Sequence, residues 1–240
     1  MDILTEGCEK LGIHLTEKQE QQFKDYYDLL LEWNSRMNLT SITEYKDVMR
    51  KHFLDSLCIV QVSGAELMDL TGVEKMIDVG TGAGFPGIPL KIIYPHIELV
   101  LLDSLQKRIR FLDALAEKLG LQSVTTVHGR AEEIGRDKSF REQFDLCVSR
   151  AVAHMAVLSE YCIPLVGVGK YFVAYKSGNV GEELREAEKA IGMLGGVMKE
   201  KKDFVIPGSD MERSLICVEK VRKTSGKYPR KSGVPGKMPL

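Results

Sequence analysis

The chain has 240 residues, 44% of them apolar and 28% charged, enough to bury a substantial core. Its formal net charge of −1 excludes a global basic field, and no apolar run is long enough to span a bilayer. The acidic start MDILTEGCEKLGIHL has no secretory character. The five cysteines (Cys8, Cys58, Cys147, Cys162 and Cys217) are scattered, with no CxxC pair and no histidine at zinc spacing. That usage predicts reduced structural thiols, no metal site and a cytoplasmic protein.

Taken in chain order, the first stretch is helical by apolar periodicity over about 70 residues. Phe23, Tyr27, Leu30 and Leu31 fall at helical spacing, with Trp33 read as core. Thr43 is placed as the N-cap of a helix through EYKDVMRKHFLDSLCIV. Residues 63–74, with Gly64 and Gly72, lead into the next unit. From Lys75 short apolar runs alternate with helical stretches. The pattern predicts strands at 76–79, 99–102, 124–127, 146–148 and 171–174, and helices at 106–119, 154–162 and 180–193. Such alternation argues for a parallel sheet with right-handed crossovers. After Gly195-Gly196, segments 198–203 and 214–221 predict a terminal antiparallel hairpin. From Lys220 to the end there are seven basic residues and no acid, which suits either a phosphate backbone or a solvated terminus.

The most informative stretch is MIDVGTGAGFPGIP, residues 76–89. An apolar run ends in Asp78, and Gly80, Gly82, Gly84 and Gly87 follow. A strand, a glycine loop and a helix start can seat a nucleotide-like or anionic ligand, with backbone approaching it closely. GAGFPG formally matches GxGxxG, but the acid two residues before the first glycine makes the form D-x-G-x-G-x-G. That arrangement resembles the first motif of class I methyltransferases, which bind S-adenosylmethionine (AdoMet). The acid would orient the loop and the cofactor's ammonium end. A second apolar strand ends in Asp103, 25 residues later, where a carboxylate can accept both ribose hydroxyls of an adenosine or cap a helix. The turn at Gly129-Arg130-Ala131-Glu132-Glu133 would flank an adenine pocket or favour the following helix. Ser149-Arg150 lies at a fourth strand tip, where an arginine can meet an anion or make a surface ion pair.

DVGTGAGFPGIPL, LLDSLQKRIRFLDAL, GRAEE, SRAVA and YPRKSGVPGKMPL, in this order, strongly resemble the RsmG (GidB) family of bacterial ribosomal RNA methyltransferases. EWNSRMNLTSI and HFLDSL fit the same family, so the resemblance runs from Glu32 to Leu240. It implies a class I AdoMet-dependent methyltransferase fold: a Rossmann-like α/β architecture with a mainly parallel seven-stranded sheet, a terminal antiparallel hairpin and an N-terminal helical extension. The expected division is 1–70 for the extension, 71–222 for the methyltransferase domain and 223–240 for a basic tail on or near the substrate face. The implied activity is methylation of N7 of one guanosine in 16S rRNA, with AdoMet as donor. The cofactor-binding set is then Asp78, Gly80, Gly82, Gly84, Phe85, Asp103, Ala131, Glu132 and Arg150. The resemblance says nothing clear of Lys176.

Guanine N7 has an in-plane lone pair, so positioning and electrostatics suffice and no general base is named. There is no Pro-Cys step for base C5 chemistry and no Asn/Asp-Pro-Pro-aromatic loop for exocyclic amines. RNA-gripping candidates are Arg230, Lys231 and Lys237 of the tail with Tyr228, and Arg36, Arg50, Lys51 and His52 of the extension. His52 is read as a packed or surface histidine, and Asn34 and Asn38 as turn caps. The expected partner is 16S rRNA or the assembled small ribosomal subunit, with no membrane, met by a monomer; a chain this near neutrality would bind naked RNA weakly, which favours a partly assembled subunit. Two other readings compete. A nicotinamide-dependent oxidoreductase would use the same glycine loop, against Asp78 and the lack of a second domain. A non-catalytic RNA-binding assembly factor would bind RNA without methyl transfer.

Overall fold

A computed structural model describes residues 2–62, 68–178 and 180–240. Residues 63–67 of the expected connecting segment, Gly64 among them, lie outside that range. The N-terminal part is helical: α1 (Ile3–Lys10), α2 (Glu17–Met37), α3 (Tyr45–Val48), a π-helical stretch Met49–Leu54, and α4 (Asp55–Leu57) running into a 3-10 turn. Then come β1 (Lys75–Val79), α5 (Gly87–Ile93), β2 (Glu98–Asp103), α6 (Gln106–Lys118), β3 (Val124–His128), α7 (Ala131–Ile134), β4 (Phe144–Arg150) and α8 (Met155–Cys162). The chain finishes with β5 (Val166–Ser177), α9 (Gly181–Leu194), β6 (Gly196–Val205), β7 (Glu212–Lys220) and α10 (Val234–Lys237).

The seven strands form one sheet in the order β3-β2-β1-β4-β5-β7-β6. β1 to β5 pair in parallel, and β7 pairs antiparallel with both β5 and β6. The five predicted strands all form, and the hairpin closes the sheet. β5 starts earlier than its apolar run, because its first part pairs Phe144 with Val166 before a register shift. The order reverses at β1 and β4, so their carboxyl tips flank the crevice where ligands of open α/β sheets bind.

Both faces of the sheet are covered, and the side-chain period of two divides them. Leu99 and Leu101, Val173 and Tyr175, and Leu215 and Cys217 face the core shared with α1, α2, α5 and α6. Leu102, Phe172 and Ala174, and Ile216 and Val218 face the core under α8 and α9. The helical extension is part of the first core: Leu4, Phe23, Tyr26, Leu30 and Phe53 are buried in it.

Two expectations for the extension shift. α2 buries Gln22, Phe23, Tyr26 and Leu30, not the row through Tyr27 and Leu31, which are half-buried. The phase is decided by the hydroxyls: Tyr26 donates to the Ala83 carbonyl at 2.6 Å, while Tyr27 donates to the Thr43 carbonyl at the exposed rim. Gln22 also donates to the Leu119 carbonyl, so a polar residue is satisfied within the packed face. α3 begins at Tyr45 after Glu44, with no side-chain cap, so Thr43 is not its N-cap. Trp33 is partly buried, 5.7 Å from Phe111 between ring centroids. All five cysteines are buried and free, and desolvation pushes the Cys8 and Cys217 thiols up to about 12. Among the described residues no helix is long and apolar enough to cross a membrane.

Candidate functional site

The glycine loop between β1 and α5 is organised from beneath. Asp78 is fully buried and accepts from Thr81 Oγ1 at 2.7 Å and Gly87 N–H at 2.8 Å through Oδ2. The carboxylate therefore occupies the start of α5 itself, and the helix end expected to receive an anionic ligand is already capped from within the chain. A Cβ at Gly87 would press on Asp78 and Leu101, which explains the glycine. Burial raises the Asp78 pKa to about 6 against the two hydrogen bonds and Arg150, which lower it. Its other oxygen, Oδ1, is buried without a partner.

The loop glycines divide by direction. Gly82, at φ 62°, would carry a Cβ into open space, with only the Gly80 carbonyl at 4.0 Å. Gly80 would drive a Cβ into Val152. Gly84 faces the other way, against the Tyr26 hydroxyl and Ile88, so it is a packing glycine and does not contribute to the cleft as expected. Phe85 is nearly buried between Tyr26 (5.1 Å, 8° between planes) and His52 (4.5 Å, 18°). This three-ring stack fixes the loop to the extension, leaving only part of Phe85 on the cleft wall.

An open cleft of about 590 Å³ lies above the loop. One wall is Gly80, Thr81, Gly82, Ala83 and Phe85. The extension supplies the facing wall with Thr40, Lys51, His52 and Asp55. The tips of β4 and β5 add Arg150, Tyr175 and Lys176, and the antiparallel β7 brings Arg213 to the same edge. A smaller hollow of about 100 Å³ lies on the β2–β3 side, bounded by Asp103, Gly129, Ala131, Glu132, Val152 and Tyr161. Gly80 borders both.

The charges are paired with care. Asp55, almost wholly buried, receives Arg150 Nη1 at 2.6 Å and Arg213 Nε at 3.2 Å. Arg150 also donates to the carbonyls of Lys51 and His52 at 3.3 Å each. The π-helical stretch breaks the regular backbone ladder there, and the strand-tip arginine reaches the resulting carbonyls. Lys176 Nζ is held by Glu183 and the Ala153 carbonyl. Asp103 accepts from Gly82 N–H, Leu105 N–H and Arg108, so it ties the loop to α6. His52 is half-buried and its pKa is lowered to about 3, first by desolvation and then by Arg150.

The predicted set is thus only partly one site. Gly80, Gly82, Phe85 and Arg150 border the large cleft, and Gly80, Asp103, Ala131 and Glu132 the small hollow. Asp78 and Gly84 border neither. Glu132 accepts from Gly233 N–H at 2.8 Å, so the tail braces the hollow. Arg230 is not a free RNA-facing cation: its guanidinium makes a two-pronged pair with Glu160, which is fully buried. Lys231 and Lys237 are exposed on the same strap but border neither cavity. Thr40, Asp55, Tyr175, Lys176 and Arg213 were not picked out as site residues from the chain, though NLTSI and HFLDSL contain the first two.

The geometry suits AdoMet. Gly82 leaves backbone open to a ligand, and the Asp103 carboxylate borders the hollow beside Gly80. Residues 19–215 match the family model for rRNA small subunit methyltransferase G. The chain belongs to that family. It is similar to the ribosomal RNA small subunit methyltransferase G of Lachnoclostridium phytofermentans, 54% identical over 98% of this chain and 95% of the relative. The protein of that name from Listeria monocytogenes serotype 4b is 48% identical over 95% of this chain and 94% of its own. Among solved structures, Aeropyrum pernix fibrillarin with natively bound S-adenosyl-L-methionine aligns at TM-score 0.54 with 11% identity, over 69% of this chain and 76% of that one. The MtNAS structure in complex with MTA and tNA aligns at 0.55 with 13% identity, over 82% and 70%. These two carry the fold alone. Nothing among these relatives supports the nicotinamide-dependent reading or the non-catalytic one.

Proposed function

We propose that this methyltransferase G family member transfers the methyl group of AdoMet to N7 of a guanosine in 16S rRNA of the small ribosomal subunit. The observation that carries this reading is the family match across both walls of one cleft, the glycine loop and the extension. The residues that would hold AdoMet are Gly80 and Gly82 through their backbone, Asp103 and Glu132 on the adenosine side, and Arg150 at the β4 tip. AdoMet supplies an electrophilic methyl carbon on a sulfonium.

Guanine N7 offers an in-plane lone pair and carries no proton, so the chain's residues need only bind, orient and exclude water. Among the described residues the cleft's buried acids and His52 are engaged, and His154, on its exposed rim, lies 4.0 Å from Glu186. Asp55 is committed to two arginines, Glu183 to Lys176, and His52 is flanked by Arg150 and Thr40. The ring becomes cationic on methylation, and a neutral His52 adds no repulsion against it.

Methyl transfer from labelled AdoMet to small subunits from a strain lacking the gene, with the label mapped to base and atom, tests this. Label at guanine N7 is expected; label at another atom, or none, overturns it. The substrate is the assembled or partly assembled subunit, in keeping with a chain near neutrality. Protein-free 16S rRNA methylated as fast as the subunit refutes that choice. The enzyme acts as a cytoplasmic monomer in this reading.

A further inference from the structure

One hydroxyl in the cleft has its direction set by its neighbours. Arg150 has N–H donors and no acceptor. Its Nη2 lies 3.5 Å from His52 Nδ1, so that nitrogen turns its lone pair to the guanidinium. The proton of the neutral ring is then on Nε2, which lies 2.9 Å from Thr40 Oγ1 and donates to it. Ile42 N–H donates to the same oxygen at 3.0 Å. A hydroxyl has two lone pairs and one proton. Both Thr40 lone pairs are taken, and what remains is its proton, on a residue that lines the cleft.

The other hydroxyls facing the cleft are spent, and its lysines and arginines are held on carboxylates while keeping further N–H groups. Thr81 donates to Asp78, and Tyr175 donates to the Ser56 carbonyl. Arg150 and Arg213 are on Asp55, Arg108 is on Asp103, Lys51 on Asp47 and Lys176 on Glu183. Ser177 lies on the exposed rim.

We propose that the Thr40 hydroxyl, held as a donor by His52 and Ile42, reads O6 of the target guanine and so selects guanine over adenine. This rests on the guanosine N7 reading above. On the edge that holds N7, guanine presents a second acceptor, O6, where adenine presents an amino donor. A fixed neutral donor matches the first and faces the second donor to donor. It also leaves the N7 lone pair free, which a forked cation gripping both N7 and O6 would not.

The test compares the wild type with Thr40→Val, which keeps the shape and removes the hydroxyl, and with Thr40→Ser, which keeps the donor. Thr40→Val is expected to lower kcat/KM for small subunits about tenfold, the effect of one hydrogen bond, with AdoMet affinity by calorimetry unchanged. Thr40→Ser is expected to restore most of it. Subunits reconstituted with 2-aminopurine at the mapped position keep N7 and lack O6. The wild type should prefer guanine over this analogue about tenfold, and Thr40→Val should barely distinguish them. Three results overturn the proposal: an unchanged rate in Thr40→Val, a guanine preference that persists in it, or a loss of AdoMet affinity that marks a structural role. If the valine variant does not fold, Thr40→Ala takes its place in the same comparison. Failure of the wild type to label guanine N7 overturns the underlying reading, whatever Thr40 does.

Discussion

Gly82 is held at φ 62° with its N–H on Asp103 and with open space where a side chain would begin. Valine there would project into the cleft and also strain the backbone. Gly82→Val should weaken AdoMet binding by at least about a hundredfold while losing only about 1–3 kcal/mol of stability. Calorimetry beside circular dichroism checks both, and normal affinity in the folded variant would refute this placement of the cofactor. At Gly84 the same change would meet Tyr26 and Ile88, so its damage should fall on folding. His52 gives a second prediction. Its pKa, ordinarily 6.5, is lowered to about 3 in the fold. The unfolded chain therefore binds a proton that the native protein refuses between those values. The stability this brings is present above 6.5 and is lost as pH falls toward 3. Asp78, raised to about 6, acts in the opposite sense, because its native form takes up a proton first as pH falls. His52→Gln should therefore lose less thermal stability than the wild type between about pH 7 and pH 4. Equal slopes in the two proteins would show that His52 does not titrate as described.

At the scale of elements, the tail is a strap. Pro229 packs against Gly135, Arg141 donates to the carbonyls of Thr224 and Tyr228, and Gly233 meets Glu132. The pair that closes it is Arg230 with Glu160 of α8. Glu160 is fully buried, so removing its partner leaves a carboxylate with neither water nor cation. Arg230→Ala should destabilise the protein by about 3 kcal/mol in urea unfolding. Adding Glu160→Gln to that variant should recover part of the loss, and no recovery would show that the buried charge is not the cause. A run of basic residues in the sequence looks alike whether it faces phosphate or a buried acid. The partner of Arg230 lies 70 residues away, and only packing brings it near.

For the whole molecule, the extension and the sheet share one core. The stack of Tyr26, Phe85 and His52 joins α2, the glycine loop and the π-helical stretch. Without residues 2–44 the fragment would expose Ile88, Phe111, Leu112 and Leu115, all now buried in that core. Such a fragment should show no cooperative thermal transition. A sharp one would mean that the extension is an addition to a domain that folds alone.

Local chemistry was legible along the chain. The D-x-G-x-G-x-G loop, the acid at the end of β2, the alternation of strand and helix, and the closing hairpin all depend on residues close in sequence. Their conformations follow from backbone sterics and from a period of two or 3.6. Even there, single-residue phase escaped: Tyr26 and Tyr27 are equally apolar, and the choice between them depends on the Ala83 carbonyl, 57 residues on. The tertiary structure alone decided which charges meet. Asp55 finds Arg150 and Arg213 at separations of 95 and 158 residues, Glu160 takes Arg230 out of the RNA-facing set, and Thr40 becomes a donor through His52. An ion pair or hydrogen-bond relay carries no sequence period, because its partners are chosen by the geometry of packed elements and not by their spacing along the chain.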